Sequence, residues 1–320
     1  MNHNSDKKND KKMDITEKIT LVAEMYYTYR LTQQEIAERL GISRPWVSKL
    51  LDRAIDLGIV RIEVVSYFAN FKELEKQLFD KYGVKVYIVK NSASGESYTN
   101  IGKAASNYLL AKIRPGDTIG VSWGVTLTVM IDELIPMKVQ GVKVVPLVGG
   151  LGSRAEYISN LSALKLSEKL DCQCVLLHAQ AYCSSPEEKE AVLSNPQVSN
   201  VIEMGNHSDI ALIGVGDLYT STIAKSKIIS DEIIKEMESY GAIGDISLWF
   251  IDKDGKIIDR GINKNIIACS LQEVTKNARE VICMACGDSK IKVLDAAMRG
   301  GWFTTLFTDV NTAKGLLNYK

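Results

Sequence analysis

Two hydrophobic rhythms divide the chain. Up to about residue 66, apolar residues recur every three or four positions. Beyond Val84 they come in short runs separated by amphipathic stretches. In the first region Ile15, Ile19, Val22 and Tyr26 keep helical spacing, as do Ile36, Ala37 and Leu40, and then Val47, Leu50, Leu51 and Ala54. Polar residues mark where the last two helices begin. Thr32, with Glu35 three positions on, makes a capping box that satisfies free N–H groups at a helix start. Gly41 supplies a left-handed turn, Ser43 caps the next helix, and Pro45 stands in its first turn, where a missing N–H costs little. Three helices, the last two joined by a short glycine turn, form a helix-turn-helix layout. "GIVRIEVV" then alternates and reads as one edge of a wing.

From Val84 the runs "VKVYIV", "DTIGVS", "VKVVPLV", "CVLL", "DIALIGV", "VICMA" and "FTTLFT" read as strands. Between them lie stretches such as "ESYTNIGKAASNYLLAKI" and "SKIKVLDAAMRG". That alternation predicts an α/β domain, a doubly wound, mostly parallel Rossmann-like sheet with helices on both faces. "YFANFKELEKQLFDKYG" reads as a helix connecting the two regions. The expected organisation is a polar, disordered tail over 1–13, a helix-turn-helix domain over 14–66, and an effector-binding and oligomerisation domain over 67–320.

Charge narrows the chemistry. The 320 residues carry 39 Lys and Arg against 39 Asp and Glu, so any nucleic-acid contact must come from a local patch. The second helix of the motif offers one: Arg44, Ser48, Lys49 and Arg53 lie opposite its buried stripe and suit base edges and phosphates. Thr32, Gln33, Ser43 and Trp46, at the two helix starts, complete the candidate DNA-binding set. The plain alternative is a helical bundle with a solvated basic face; the two caps and the central glycine favour DNA. No run of eighteen apolar residues exists, so no membrane span is expected. The N-terminus has no apolar h-region, which makes a cytoplasmic location the expectation. Cys283 and Cys286 stand three apart at a strand end, where they point to opposite faces, and only three histidines are present. Buried thiols, rather than a metal site, are expected.

Small-residue loops recur where strands should end. "SWGVT" follows one strand and opens a helix; "GGLGSR", "GVGD" and "CGDSK" follow three others, and "GAIGD" precedes one. Ligands of open α/β sheets bind beyond the carboxyl ends of the strands. In "SWGVT", free N–H groups beside the Ser122 and Thr126 hydroxyls suit an anion, with Gly124 and Val125 at the helix start. Arg154 and Lys290 could add positive charge, and Asp217 and Asp245 suit sugar hydroxyls. Neither the P-loop nor the dinucleotide fingerprint is present, and no cofactor is expected.

With these residues in view, the chain resembles the SorC family of sugar-binding transcriptional regulators, and within it the deoxyribonucleoside-type regulators. The resemblance runs from about Ile15 to the C-terminus through "TQQEIAERLGISRPWVSKLL", "GVSWGVTL", "VVPLVGGLG", "NPQVSNVIEMG", "DIALIGVGD", "GAIGDISLWFIDKDG" and "DAAMRGGWFTTLFTDVNTAKGLL". It implies an effector domain of the phosphosugar-isomerase-like fold, shared with coenzyme-A transferases, behind the DNA reader. It also implies a tetramer that binds a phosphorylated sugar. The family's phosphate loop falls on Gly124, Val125 and Thr126, its glycine pair on Gly149 and Gly150, and its lysine on Lys290. Three positions depart. Cys286 stands where the family often has a first glycine, Asn265 replaces a common arginine, and Val148 occupies the place of a lysine that forms an imine in some relatives. A non-covalent effector complex is the expectation. The reading is therefore a repressor whose operator affinity a phosphorylated sugar controls, working as a homo-oligomer on paired half-sites. The competing readings are a phosphosugar-metabolising enzyme with an accessory DNA reader and a DNA-bound structural protein with a degenerate pocket.

Overall fold

A computed structural model describes residues 14–61, 71–91, 97–150, 159–221, 224 and 229–319. The chain divides into two compact units, Met1–Tyr67 and Phe68–Lys320.

The first unit is helical. Helix α1 (Ile15–Ala23) starts at Asp14 in a capping box with Glu17 and runs into a π-helical turn, Glu24–Thr28. Helices α2 (Gln33–Leu40) and α3 (Arg44–Asp56) follow. The Thr32–Glu35 capping box forms in both directions, with Thr32 N–H donating to Glu35 Oε2 at 2.8 Å. Gly41 takes the left-handed conformation, φ 61°. Ser43 Oγ accepts from the Trp46 N–H. Ile19, Val22, Ile36, Val47, Leu50 and Ala54 close the core. Ile15, which shares the helical spacing of Ile19 and Val22, is exposed in the first turn of α1. Residues 58–61 form no strand, and the rest of the expected wing segment lies outside the described residues, as does the N-terminal tail.

The second unit carries a seven-stranded parallel sheet of order β1-β10-β9-β5-β2-β3-β4. Its strands are β1 (Lys85–Val89), β2 (Thr118–Val121), β3 (Lys143–Pro146), β4 (Gln173–Cys174), β5 (Ile210–Ile213), β9 (Glu280–Met284) and β10 (Thr305–Asp309). Strands β5, β9 and β10 are buried at every position, as a parallel sheet covered on both faces requires. Helices α5 (Ser97–Lys112), α6 (Val125–Asp132) and α7 (Ser159–Leu170) pack with one apolar layer. The other layer includes α4 (Lys72–Tyr82), α10 (Asp231–Ser239), α11 (Leu271–Asn277), α12 (Ile291–Arg299) and α13 (Val310–Asn318). Helices α8 (Pro186–Leu193) and α9 (Pro196–Asn206) precede β5. From β2 the chain steps outward to β3 and β4, then returns to place β5 on the other side of β2. The gap between β2 and β5 is therefore the topological switch point, where open sheets bind ligands.

Two expectations are corrected. Of "CVLL", only Cys174 is in a strand, because β4 is a two-residue edge strand. "GVGD" and "GAIGD" are not loops: they lie in β6 (Val215–Asp217) and β7 (Ala242–Ile246), which pair antiparallel with β8 (Trp249–Asp252) in a separate sheet. Glycine makes that pairing possible. A Cβ at Gly244 would lie 2.3 Å from the Gly216 carbonyl oxygen, and one at Gly216 would lie 2.3 Å from Asp245 Oδ1.

Candidate functional site

A cavity of about 330 Å³ opens at the switch point, a volume in the range of small-molecule sites. The segments that follow β2, β5 and β9 meet there, joined by the β7–β8 turn. After β2 the chain turns through Gly124, φ 140°, which is the N-cap of α6 and has no side-chain cap. Thr128 N–H is bonded to the Gly124 carbonyl, which leaves the amides of Val125, Thr126 and Leu127, residues that line the cavity, without a partner among the described residues. A helix start of this kind attracts anions through its N–H groups and its dipole. A Cβ at Gly124 would meet open space, but a positive φ of that size strains any other residue.

Two carboxylates and one ammonium supply the charge. Asp245 is 5% exposed and accepts the Leu248 N–H at 2.9 Å. Burial pushes its carboxyl up to about 6, against the opposing pull of that hydrogen bond and of Lys290. Lys290 forms an ion pair with Asp217 at 3.5 Å and also lines the cavity. Asp217 itself does not. Burial would raise its pKa, but hydrogen bonds from Thr220 outweigh burial and, with Lys290, hold the carboxyl below its ordinary range. Its oxygens take the Thr220 N–H and hydroxyl, both at 2.6 Å, and the Tyr219 N–H at 3.1 Å. Asp217, expected as a sugar-hydroxyl acceptor, thus stands off the cavity wall and pairs with Lys290.

Three further expected residues stand elsewhere. The Ser122 hydroxyl is fully buried beneath the loop, off the cavity wall and without a hydrogen-bond partner among the described residues. Gly149 and Gly150 pack against 179–180. Gly150 N–H donates to the Ala179 carbonyl, and a Cβ at Gly149 would lie 2.3 Å from the Gln180 carbonyl oxygen, so Gly149 serves close packing; neither glycine lines the cavity. Arg154 lies outside the described residues. Val148 is fully buried, with its carbonyl accepting the Ser159 hydroxyl.

The cavity also has walls that sequence reasoning missed: Tyr98, Trp123, Thr220, Ser221, Ser247 and Cys286. Ser247 and Leu248 form the two-residue turn between β7 and β8, with φ of 48° and 79°. Positive φ at both centres matches the twist of a tight hairpin but strains non-glycine residues. The Ser247 hydroxyl is buried without a partner among the described residues and lines the cavity. Cys286 is pushed up to about 12 by burial and by the neighbouring Asp309, so it stays a neutral thiol. Cys283 and Cys286 join opposite apolar layers. No cluster of three or more metal-ligating side chains occurs among the described residues.

In the first unit, Arg44, Lys49 and Arg53 are exposed along α3, Trp46 is 39% exposed, and Ser48 and Gln33 are half-buried. Thr32 and Ser43 use their hydroxyls as caps, which fixes the entry angles of α2 and α3.

Comparison with known proteins decides what this pairing is. Residues 66–318 match the sugar-binding domain family, and residues 15–56 match region 4 of sigma-70. The deoxyribonucleoside regulator of Bacillus subtilis is 30% identical over 301 residues, covering 92% of this chain and 96% of that protein. The chain belongs to the SorC family of sugar-binding transcriptional regulators. The sorbitol operon regulator of Klebsiella pneumoniae is 27% identical over 307 residues, covering 93% and 97%. The crystal structure of that full-length regulator superposes with a TM-score of 0.72 at 26% identity, covering 95% of this chain and 99% of that one. A DeoR family transcriptional regulator from Listeria monocytogenes gives 0.71 at 29%, covering 77% and 98%. This SorC-family protein is accordingly a DNA-binding transcriptional regulator with a helix-turn-helix reader and a sugar-type effector domain. No helix among its described residues is long and apolar enough to cross a membrane.

Proposed function

We propose that the protein is a cytoplasmic repressor of a sugar or nucleoside catabolic operon, released from or retained on its operator by a phosphorylated sugar. The observation that carries this is the uncapped, glycine-opened start of α6 facing Lys290 and Asp245 across one cavity. In this reading the phosphate takes the Val125 and Thr126 amides and the Thr126 hydroxyl, with Lys290 as counter-charge. The sugar hydroxyls lie toward Asp245 and Ser247, and Arg154 remains a candidate second cation. Val148 has no amine with which to form an imine, which fits a non-covalent complex. Arg44 and Lys49 enter the major groove, Arg53 contacts phosphate, and Gln33, Trp46 and Ser48 flank them. One such motif makes few base contacts, so a homo-oligomer, dimer or tetramer, reads two half-sites about one helical turn or a multiple apart.

This reading includes no turnover. Among the described residues the cavity wall has no histidine and one carboxylate, Asp245, which accepts the Leu248 N–H, and Cys286 is held neutral. The test combines two assays on one panel of phosphorylated pentoses and hexoses: operator binding by fluorescence anisotropy, and product formation by NMR. The expected result is one or a few sugar phosphates that shift operator affinity with no chemical change. Conversion of a panel member at enzymatic rates would replace the regulator-only reading with the phosphosugar enzyme.

A further inference from the structure

We propose that α12 carries the state of Lys290 to α4 through the Tyr82–Asp295 contact, making Tyr82 and Asp295 the positioning residues through which the effector domain addresses the DNA reader. The inference rests on the reading of Lys290 as the effector-site cation.

Lys290 is the N-cap of α12, and the short turn Asp288–Lys290 leads into that helix. Asp217 holds this turn twice, through Lys290 and through the Ser289 hydroxyl at 3.3 Å. An anion on the start of α6 and the carboxylate of Asp217 compete for one ammonium. Whichever wins sets where the N-terminus of α12 lies. The helix is stiff along its length, with Val293 and Leu294 through Met298 buried. A Cβ at Gly255 would meet the Ala296 carbonyl oxygen at 2.2 Å, so the backbone of the helix is packed tightly as well. A shift at one end must therefore be felt further along.

Five residues on, about 8 Å along the axis, Asp295 is 4% exposed. Its carboxylate accepts the Tyr82 hydroxyl at 2.7 Å and Arg299 Nε at 3.0 Å. A buried carboxylate gives up such partners only at high cost, so Tyr82 follows Asp295. Burial and the Asp295 carboxylate push the Tyr82 phenol far above its usual value, and it stays a donor throughout the working pH range. Tyr82 is the last residue of α4. Beside it, Lys81 Nζ donates to the carbonyls of Leu316 at 2.9 Å and Tyr319 at 2.8 Å, at the end of α13. The C-terminal end of α4 is thus gripped by two helices, one of which begins at the effector cation. In chain order α4 is the first helix after those of the reader. A merely structural staple would have the same contacts but would transmit nothing.

The test needs no sugar, so it can fail without the phosphosugar reading failing, and the reverse. Operator duplex is first selected by the full-length protein from random-sequence DNA. Its affinity is then measured for wild type, Asp217→Asn, Tyr82→Phe and the double variant, each with its thermal midpoint. Asp217→Asn removes the charge opposed to Lys290 without any ligand. The expected shift in operator Kd is at least about five-fold, the lower end of usual coupling between sites. Tyr82→Phe alone should stay within about two-fold of wild type, and the double variant should match Tyr82→Phe. Hydrogen exchange on Asp217→Asn alone should show altered protection along α4. An Asp217→Asn shift that survives in the Tyr82→Phe background, no shift at all, or unchanged α4 protection would each overturn the proposal.

Discussion

Replacing Asp245 by asparagine should stabilise the protein at neutral pH while abolishing its ligand response. The carboxyl is 5% exposed, and burial raises it from 3.8 to about 6. The groups facing it are the Leu248 N–H and Lys290, which favour its charged form, and Asp217, which opposes it. Its folded-state pKa lies above the unfolded one, so the native state binds the extra proton between those values. The contribution of this group to stability is therefore highest below about pH 4, falls as pH rises toward 6, and stays lowered above that. A difference of about two pKa units corresponds to roughly 3 kcal/mol at pH 8, an upper figure because the cavity admits water. Asparagine keeps an oxygen for the Leu248 N–H and removes the charge. At pH 8 the variant should unfold several degrees higher, at roughly 2–4 °C per kcal/mol for a unit of this size. At pH 4 it should match wild type. Calorimetric scans from pH 4 to pH 8 check this. A gain that is constant across pH, or no gain at pH 8, would refute the argument that the charge is what burial penalises.

Other outcomes follow from the same contacts. Arg44→Ala should cost on the order of 1–3 kcal/mol in operator binding and relax preference at one base pair, whereas equal loss on all sequences would reassign Arg44 to the backbone. Thr126→Ala should weaken effector binding by roughly 1.5–3 kcal/mol, the worth of a hydrogen bond to a charged group, and leave operator binding intact, which titration of both ligands checks. At the N-terminal edge of the sheet, buried Asp117 pairs with Arg279, which also reaches Asp209 at 3.4 Å. Asp117→Ala should destabilise the second unit by roughly 3 kcal/mol, the lower end for a buried pair because the guanidinium is partly exposed; an unchanged urea midpoint would contradict this.

The readable parts of the chain were those whose causes are local. Thr32, Gly41 and Ser43 act within four residues of themselves, so both helix starts and the turn between them could be read directly. Strands such as β5 and β9 announced themselves as unbroken apolar runs. The second sheet was hidden because Gly216, Gly244 and Asp245 are poor strand residues in isolation; they pair because the backbones must approach too closely for a Cβ. The same holds at the site. Gly124, Val125, Thr126, Asp245 and Lys290 could be anticipated from loop composition, and all five line the cavity. Ser247 could not, since its place depends on a hairpin turn, nor could the role of Asp217, which arises from a lysine 73 positions away in the chain. The burial of Ser122, just beyond the end of β2, was not legible from its place beside a helix start.

The most direct test of the central claim is titration calorimetry of the full-length protein with the sugar phosphate that shifts operator affinity, beside the same sugar without its phosphate. If the α6 start and Lys290 hold the phosphate, the free sugar should bind at least about a hundred-fold more weakly, the loss of two charge-assisted hydrogen bonds at roughly 1.5 kcal/mol each. Equal affinity for the two sugars would contradict the account.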